Sequence, residues 1–330
     1  MGDFRTVLAV DAGNSKTDAV LLTADGVVLA RRRGGGFQPH LGRAAALAAL
    51  AALIGSTLDT AGVGRVDLLF ACLANSDLPA EDEDYARHLS GLGLAADVRV
   101  RNDAFALLRS ATRAPAAVAV VCGAGINCVG VGPGGGQVRF LALGTFTGDW
   151  GGGETLGQQT MFHAVRDEDG RGPGTALTRA VANHFARASA HEVAIALHCN
   201  DIGMNRLHEL VPVLFAVATT GDAIATAVVQ RQADEVVAFA VTALRRLELL
   251  DTATPVVLGG GVLAAQPPVL MTPIHRALAQ KAPRATVVVP QWGPIVGAAL
   301  LGLEQLSGAP VPAEGEEQIA AAVATAVPVG

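Results

Sequence analysis

The chain opens with two short apolar runs, residues 7–10 and 19–22, on either side of a polar turn. Apolar runs of this length between turn residues predict buried strands. Ala24-Asp25-Gly26 follows the second run, and an Asp-Gly pair at such a place predicts a hairpin. The first segment is therefore predicted to be strand, polar turn, strand, turn and strand, the last ending near Arg33.

The same order of elements returns after the first hundred residues. Between the two occurrences, the pattern predicts helices over residues 43–61, 79–88 and 102–110 and strands over residues 66–73 and 97–101. Strands are then predicted at residues 116–121, 128–131 and 138–143, with glycine turns between them. Two segments with the same order of elements predict a duplicated architecture.

The second half of the chain is mostly helical in its pattern. A glycine-rich loop, residues 144–153, precedes it, and the last residues predict a frayed or partly helical tail. Helices are predicted over residues 154–166, 174–188, 204–219, 222–250, 268–280 and 294–306, with one more from residue 189, and strands over residues 255–258 and 286–289.

Composition narrows the class of protein. The 330 residues are 51% hydrophobic and only 4% aromatic, so two domains with cores of Ala, Val and Leu are expected. With 16% charged residues and a net charge of −6, neither disorder nor a nucleic-acid partner is favoured.

The cellular setting is predicted from three observations. The four cysteines show no CxxC pair, which favours free thiols in a reducing cytosol. A strand begins close to the N-terminus, which leaves no room for a signal peptide. The longest apolar run, residues 44–54, is too short to span a bilayer. We therefore expect a cytoplasmic protein without a membrane partner.

The polar turn after Asp11 carries the first candidate chemistry. Backbone N–H groups freed by a tight turn, together with hydroxyls and one ammonium, are the donors that a polyphosphate needs. Lys16 is one of only two lysines in the chain. A Walker A sequence, GxxxxGK[ST] leading into a helix, is absent here. The second glycine turn, residues 122–127, predicts a cleft that holds a phosphate chain from both sides.

Three glycine turns in order resemble one known superfamily. They are Asp11-Ala12-Gly13-Asn14-Ser15-Lys16-Thr17, Cys122-Gly123-Ala124-Gly125-Ile126-Asn127 and Leu258-Gly259-Gly260-Gly261. The set resembles the phosphate and adenosine motifs of the sugar kinase, Hsp70 and actin superfamily. Arg101-Asn102-Asp103-Ala104 and Gly148-Asp149-Trp150-Gly151 narrow the resemblance to the N-acetylglucosamine kinase-like branch of the BadF/BadG/BcrA/BcrD-type ATPases.

The resemblance covers residues 6 to about 302 and implies a fold. It implies an α/β protein of two RNase H-like, actin-like ATPase lobes with a nucleotide and sugar cleft between them. The first lobe would be residues 1–113, completed by the helix at about 294–306. The second lobe would be residues 114–293, and residues 307–330 would be a tail.

The resemblance also implies an ATP- and Mg²⁺-dependent kinase. Its substrate would be a hexosamine, N-acetylglucosamine or glucosamine, phosphorylated at the 6-hydroxyl. Asp103 falls on the catalytic base, which accepts the proton of the sugar hydroxyl. Asp11 falls on the acid that holds Mg²⁺. The implied ATP-binding residues are Gly13, Asn14, Ser15, Lys16, Thr17, Gly123, Ala124, Gly125, Asn127, Gly259 and Gly260. The implied sugar-binding residues are Gln38, Asn102, Asp103, Gly148, Asp149 and Trp150.

The sequence leaves alternatives open for single residues. Asp103 precedes a helix, so it fits a simple N-cap as well as a base. Trp150 stands where the family commonly has Glu, and either stacking on a sugar or packing in the protein fits it. Gln38 and Ala124 also depart from the family pattern, so the sugar's identity is less supported than the phosphate site.

The sequence also leaves alternatives open for the whole chain. One is a BadF-type ATPase that activates a partner enzyme, which would need a cysteine pair for a subunit-bridging iron–sulfur cluster. Another is a sugar-binding protein of the same fold with little turnover, and a third is a sugar-responsive regulator. A homodimer is also left open.

Overall fold

The structure of the protein is a computed structural model, and it describes residues 5–326. Among these residues, the chain forms two compact units. Unit 1 comprises residues 5–114 and 290–326, and unit 2 comprises residues 115–289. Each unit is built on one five-stranded sheet covered by helices.

Unit 1 contains the sheet with strand order β3-β2-β1-β4-β5. The first three strands pair antiparallel, whereas β4 and β5 run parallel to β1. The strands are β1 Thr6–Ala12, β2 Lys16–Thr23, β3 Val28–Gly35, β4 Val66–Leu73 and β5 Ala95–Asn102. The helices are α1 Pro39–Ala61, α2 Pro79–Ser90, α3 Asp103–Ala111, α11 Pro294–Ser307 and α12 Ala313–Thr325.

Both faces of the unit 1 sheet are buried, which explains the uninterrupted apolar runs of β1 and β2. Leu8 and Val10 point to the face covered by α1 and α2. Val7 and Ala9 point to the opposite face, where α3, α11 and α12 pack. The edge of this second face, at the end of β1, carries Asp11.

Unit 2 repeats the topology, with strand order β10-β9-β6-β7-β8. Its first three strands again pair antiparallel, and β9 and β10 run parallel to β6. The strands are β6 Ala117–Cys122, β7 Ile126–Val131, β8 Gln137–Arg139, β9 Pro255–Gly259 and β10 Thr286–Val288. The helices are α4 Gly152–Glu168, α5 Leu177–His184, α6 Ala190–His198, α7 Leu210–Thr219, α8 Ala223–Arg246, α9 Gly261–Ala264 and α10 Pro268–Lys281, with 3-10 turns at Thr145–Thr147 and Met204–Glu209.

The predicted α/β fold with two similar halves is confirmed, while several element boundaries differ. The strand predicted over residues 138–143 ends at Arg139, because Ala142 and Gly144 have positive φ and turn the chain away. The helix predicted from residue 204 becomes regular only at Leu210. Pro212 lies in its first turn and cannot donate to an earlier carbonyl, so the preceding residues form a 3-10 turn instead.

The C-terminal segment resolves one of the alternatives for the tail. Residues 313–325 form the regular helix α12 rather than a frayed end. Its Glu316 is buried and forms ion pairs with Arg109 of α3 and with Arg113. Arg109 also pairs with Glu304 of α11 at 2.7 Å. This buried network attaches α12 to the helix that begins at Asp103.

The apolar run near residue 44 belongs to a longer helix than predicted. Helix α1 has 23 residues, and by length and composition it is apolar enough to cross a membrane. The bent pair Met204–Thr219 and Ala223–Arg246 would raise the number of such spans to two among the described residues. The prediction concerned the uninterrupted apolar run of residues 44–54, whereas the length of α1 comes from the whole helix. Core helices of soluble proteins are often as long and as apolar. In α1, however, only 28% of the apolar 18-residue stretch is buried.

Candidate active site

A row of charged residues crosses the unit 1 sheet at the end of β1. Asp11 lies opposite Asp18 on β2, and Asp18 lies opposite Arg33 on β3, so their side chains share one face. Arg33 Nε donates to Asp18 at 2.9 Å, Arg31 donates at 3.3 Å, and Lys16 lies 3.6 Å away. Asp18 is therefore a buried carboxylate whose charge is balanced by three cations.

Asp11 and Asp103 have raised pKa values at this edge. Burial raises the pKa of Asp11 to about 8, with further contributions from the negative charges of Asp103 and Asp18, while Lys16 opposes the change. Burial also raises the pKa of Asp103 to about 6, and the backbone N–H groups of Asp103 and Ala104 partly offset this. Two carboxyls whose pKa values differ in this way suit different roles.

The N-cap of α3 is Asn102 rather than Asp103. Asn102 has an extended backbone, and its Oδ1 accepts the Ala104 N–H at 3.0 Å. Asp103 is the first helical residue, so the interpretation of Asp103 as a capping residue is wrong. Asn102 is itself buried, and its amide donates to Ser76 O at 3.2 Å and to Asp77 Oδ1 at 2.9 Å. These contacts make Asn102 a residue that positions Asp103.

The polar turn after β1 is closed by one backbone bond, from Gly13 N to Lys16 O at 2.9 Å. Asn14 is partly exposed, and Ser15 and Lys16 are exposed. Thr17 is buried instead, and its hydroxyl donates to Gly35 O at 2.8 Å. Residues 13–16 of the turn are therefore at least partly exposed, whereas Thr17 holds the turn against β3.

The loop between β3 and α1 packs directly on this turn. Phe37 N donates to Gly13 O at 2.9 Å. A Cβ at Gly36 would lie 1.9 Å from Asn14 O, so only glycine fits there. The Phe37 ring is buried edge-on against Tyr85, with 5.6 Å between the ring centroids. Gln38, which follows, lies at the N-terminus of α1 beside the polar turn.

The second glycine turn, in unit 2, is held by the N-terminus of α4. Gly123 N donates to Gly125 O at 3.0 Å, which closes the turn. Gly153 N then donates to Gly123 O at 2.7 Å, and Glu154 N donates to Ala124 O at 3.0 Å. Because these helical N–H groups are used within the protein, the turn is fixed in place. Asn127 lies just beyond it on β7, where its Oδ1 accepts the Cys128 N–H at 2.7 Å.

Close backbone approaches explain two more glycines around the second turn. A Cβ at Gly152, which has φ +85°, would lie 2.4 Å from Ala124 O. A Cβ at Gly260, which has φ +82°, would lie 2.5 Å from the Cys122 carbonyl carbon. Gly259 ends β9 immediately before it. Packing is therefore sufficient to explain why Gly260 is a glycine.

Asp149 and Trp150 lie in the loop that leads into α4. The Asp149 carboxylate accepts the Gly144 N–H at 3.1 Å and the Thr147 hydroxyl at 2.6 Å, and Gly148 turns the chain with φ +91°. Trp150 belongs to the core of unit 2, and the Arg231 guanidinium lies over its ring, 4.1 Å from the centroid. Of the two alternatives for Trp150, this geometry favours packing.

The donor set at Asp11 fits Mg²⁺ bound with a nucleotide. Within residues 5–326, no group of three or more His, Cys, Asp or Glu side chains is arranged to hold a metal by itself. Mg²⁺ in phosphate-transfer sites needs only one or two carboxylates, because phosphates and waters supply the other oxygens. Asp11 at the end of β1, near Asp103, meets this requirement.

Several residues around the site were not identified from the sequence. Asp18 balances the cations beside Asp11, Asn75 bonds the polar turn, and Gln232 accepts the Gly152 N–H at 3.0 Å. An Asn in a short polar loop between predicted elements is the only signal that could have pointed to Asn75. Nothing in the sequence brings residue 232 to residue 152.

Comparisons with known proteins found one family profile and one curated relative. The sequence profile of the BadF/BadG/BcrA/BcrD ATPase family matches residues 8–302. An N-acetyl-D-glucosamine kinase from Dictyostelium discoideum is 24% identical over 312 residues, which cover 90% of this chain and 97% of that protein.

Solved structures share the fold. A candidate N-acetylglucosamine kinase from Chromobacterium violaceum is 22% identical, with a TM-score of 0.70 over 91% of this chain and 99% of that one. A ROK-family glucokinase from Streptomyces griseus, solved with glucose and AMPPNP, is 17% identical, with a TM-score of 0.54 over 90% and 99%. The actin-like ATPase fold that the glycine turns predict is thereby confirmed. By the match of its profile to residues 8–302, the chain belongs to the BadF/BadG/BcrA/BcrD ATPase family.

Proposed function

We propose that this protein is an ATP- and Mg²⁺-dependent kinase that phosphorylates a hexosamine, N-acetylglucosamine or glucosamine, at the 6-hydroxyl. The observation that carries the proposal is Asp103. Its carboxyl has a pKa of about 6. Because Asn102 is the N-cap of α3, Asp103 is not needed as the capping residue. It lies in the same unit as the phosphate-type turn and Asp11. The names of the relatives supply the sugar class.

Asp103 acts as the general base. At neutral pH, a carboxyl with a pKa of about 6 is mostly ionised, yet it is basic enough to accept the proton of an attacking hydroxyl. The sugar oxygen forms the new bond to the γ-phosphorus, its proton passes to Asp103, and ADP leaves. Asn102 holds the first turn of α3, and with it Asp103, in place.

Asp11 would hold Mg²⁺ through its carboxylate oxygens. Mg²⁺, when bound, neutralises the charge of the β- and γ-phosphates. The raised pKa of Asp11 means that the carboxyl releases a proton when the cation binds. Lys16 and the N–H groups of Asn14 and Ser15 bind the phosphate oxygens, because the Gly13 N–H is used within the turn. Thr17 of β2 supports the turn by its hydrogen bond to Gly35 O of β3.

Unit 2 carries its own backbone donors and sugar contacts. The turn formed by Gly123, Ala124 and Gly125, with Asn127, binds phosphate oxygens, and Gly259 and Gly260 border the adenosine. In unit 2, Asp149 and Gly148 bind sugar hydroxyls, and in unit 1 Gln38 does so. Trp150 supports Asp149 from the core instead of stacking on the sugar.

The test is ADP release measured against a panel of hexoses and hexosamines. We expect N-acetylglucosamine or glucosamine to stimulate release, and ³¹P NMR of the product to identify a 6-phosphate. Asp103→Asn should lower kcat by about 10²–10⁴-fold, because general-base catalysis contributes that much. Asp97→Asn, an exposed aspartate of the preceding strand, serves as control and should keep full activity.

Two outcomes would contradict the proposal. Absence of stimulation by every sugar would reject the kinase and leave a sugar-binding protein with little turnover. Full activity of Asp103→Asn would reject the base. The partner-activating ATPase has less support, because Cys122 and Cys128 are buried and burial raises the pKa of both thiols, whereas a cluster needs accessible thiolates.

A further inference from the structure

Asn75 lies in the short loop between β4 and α2, and its side chain bonds two segments of the candidate site. Its amide nitrogen is 2.8 Å from Asn14 Oδ1 and 3.0 Å from Phe37 O. Both hydrogens of the amide are thus donated, one to the polar turn and one to the loop that precedes Gln38. The backbone of Asn75 is left-handed, with φ 57°, which few residues other than Gly, Asn and Asp adopt readily.

The same loop also contacts the N-cap of the helix that carries Asp103. Ala74 N donates to Ala12 O at 2.8 Å, at the base of the polar turn. Ser76 O and Asp77 Oδ1 accept hydrogen bonds from the Asn102 side-chain amide. Residues 74–77 therefore contact the polar turn, the Phe37 loop and the N-cap beside Asp103, all within unit 1.

We propose that Asn75 is a positioning residue that couples nucleotide binding to sugar binding. The inference rests on the proposed function, because it assigns the polar turn to phosphates and the Phe37–Gln38 loop to the sugar. A ligand that orders Asn14 orders Asn75, and the second hydrogen of the same amide then orders Phe37 O. Each ligand therefore lowers the cost of ordering the site of the other, which is a positive coupling between them.

Two substitutions separate the two hydrogen bonds. Asn75→Asp keeps the shape and the left-handed preference but cannot donate. The Asn14 amide can rotate to donate to the new carboxylate, whereas Phe37 O can only accept and loses its partner. Asn75→Gly keeps the backbone conformation and removes both bonds.

The two variants should therefore differ in their Michaelis constants. We expect Asn75→Asp to raise the KM for sugar by roughly tenfold, since one unmade hydrogen bond weakens binding by about that factor. Its KM for ATP should rise by less than about threefold, because the bond to Asn14 is kept. We expect Asn75→Gly to raise both constants by roughly tenfold. In wild-type protein, saturating sugar should tighten the binding of a fluorescent ATP analogue, and both variants should lose that tightening.

The matched control is Asn200, another left-handed asparagine with φ 62°, which is exposed in unit 2. Asn200→Asp and Asn200→Gly should leave both constants unchanged. A merely structural role for Asn75 predicts lower Tm with unchanged KM values and unchanged coupling, and that result would overturn the proposal. Equal KM changes in Asn75→Asp and Asn75→Gly would also overturn it.

The analogue titration separates this proposal from the proposed function. If the wild-type protein phosphorylates no sugar, the kinase assignment fails on that result alone. Weaker analogue binding by Asn75→Gly than by Asn200→Gly would still support the bond to the polar turn, and equal binding would reject it. If Asn75→Gly fails to fold, the ratio of the two KM values in Asn75→Asp decides the question.

Discussion

The two glycine turns occupy the same place in two sheets of the same topology, yet their chemistry differs. The turn of unit 1 spans residues 13–16, between Asp11 on β1 and Asp18 on β2. The turn of unit 2 spans residues 123–125, between the paired residues Cys122 and Ile126. The first has carboxylates and three cations around it, whereas the second is flanked by apolar side chains and offers mainly backbone.

The ionisable groups around the turns therefore lie in only one of the two repeated units, unit 1. In unit 1, Asn75 fixes the turn with a side-chain amide, and the pKa values of Asp11 and Asp103 are raised around it. In unit 2, the N–H groups of α4 fix the turn by backbone bonds alone. A duplicated fold can thus keep its shape in both halves while ionisable groups accumulate in only one.

Both turns also require glycine in distant segments, and among these glycines the largest effect is expected at Gly36. In Gly36→Ala, the new Cβ would lie 1.9 Å from Asn14 O and push the polar turn out of place. A misplacement of this size costs about 10²-fold in activity, so kcat/KM for ATP should fall by that factor. Gly35→Ala, whose Cβ meets nothing within 4 Å, is the control and should stay near wild type.

Gly152→Ala makes the corresponding test in unit 2. Its Cβ would meet Ala124 O at 2.4 Å with φ at +85°, so we expect about 2–4 kcal/mol of destabilisation from strain and overlap. Denaturant unfolding measures this free energy. Gly134→Ala, in an open turn of the same unit, should be neutral. If Gly152→Ala weakened ATP binding at unchanged stability, the second turn would be more than a backbone scaffold.

The pH dependence tests the charged character of unit 1. Asp103 must be ionised to accept a proton, and its pKa of about 6 means that the ionised fraction falls below that pH. With MgATP saturating, so that Asp11 is already ionised, we expect kcat/KM for sugar to decrease about tenfold per pH unit on the acid side and to level off above it. Asp97→Asn should show the same profile. Activity that stays constant down to about pH 5 would contradict the assignment of Asp103 as the base.

The smallest expected effect concerns the pair Arg231 and Trp150 in unit 2. If Trp150 only packs, Arg231→Ala should remove a cation–π contact worth about 0.5–1 kcal/mol and leave the KM for sugar unchanged. Arg187→Ala, another exposed arginine of unit 2, should leave stability and KM unchanged. A change in sugar preference on loss of Arg231 would restore the stacking alternative for Trp150.

The period of apolar residues was sufficient to predict most strands and helices and the duplication, because these depend on local burial patterns. Element ends were less predictable. The strand after residue 137 ends early because Ala142 adopts a left-handed backbone, which its sequence neighbours do not announce. The glycine turns identified the candidate phosphate site because backbone-lined turns need glycine within a few residues of sequence.

The sequence by itself determined the architecture, the family and the short-range motifs, because each of them depends on residues that are close together along the chain. Tertiary structure decided which of two adjacent residues caps α3, that Trp150 packs in the core beneath Arg231, and which glycines touch the turns. It also placed the Asn75 amide between Asn14 and Phe37, 61 and 38 residues away. These features depend on atoms brought together across the sheet, so no local pattern records them.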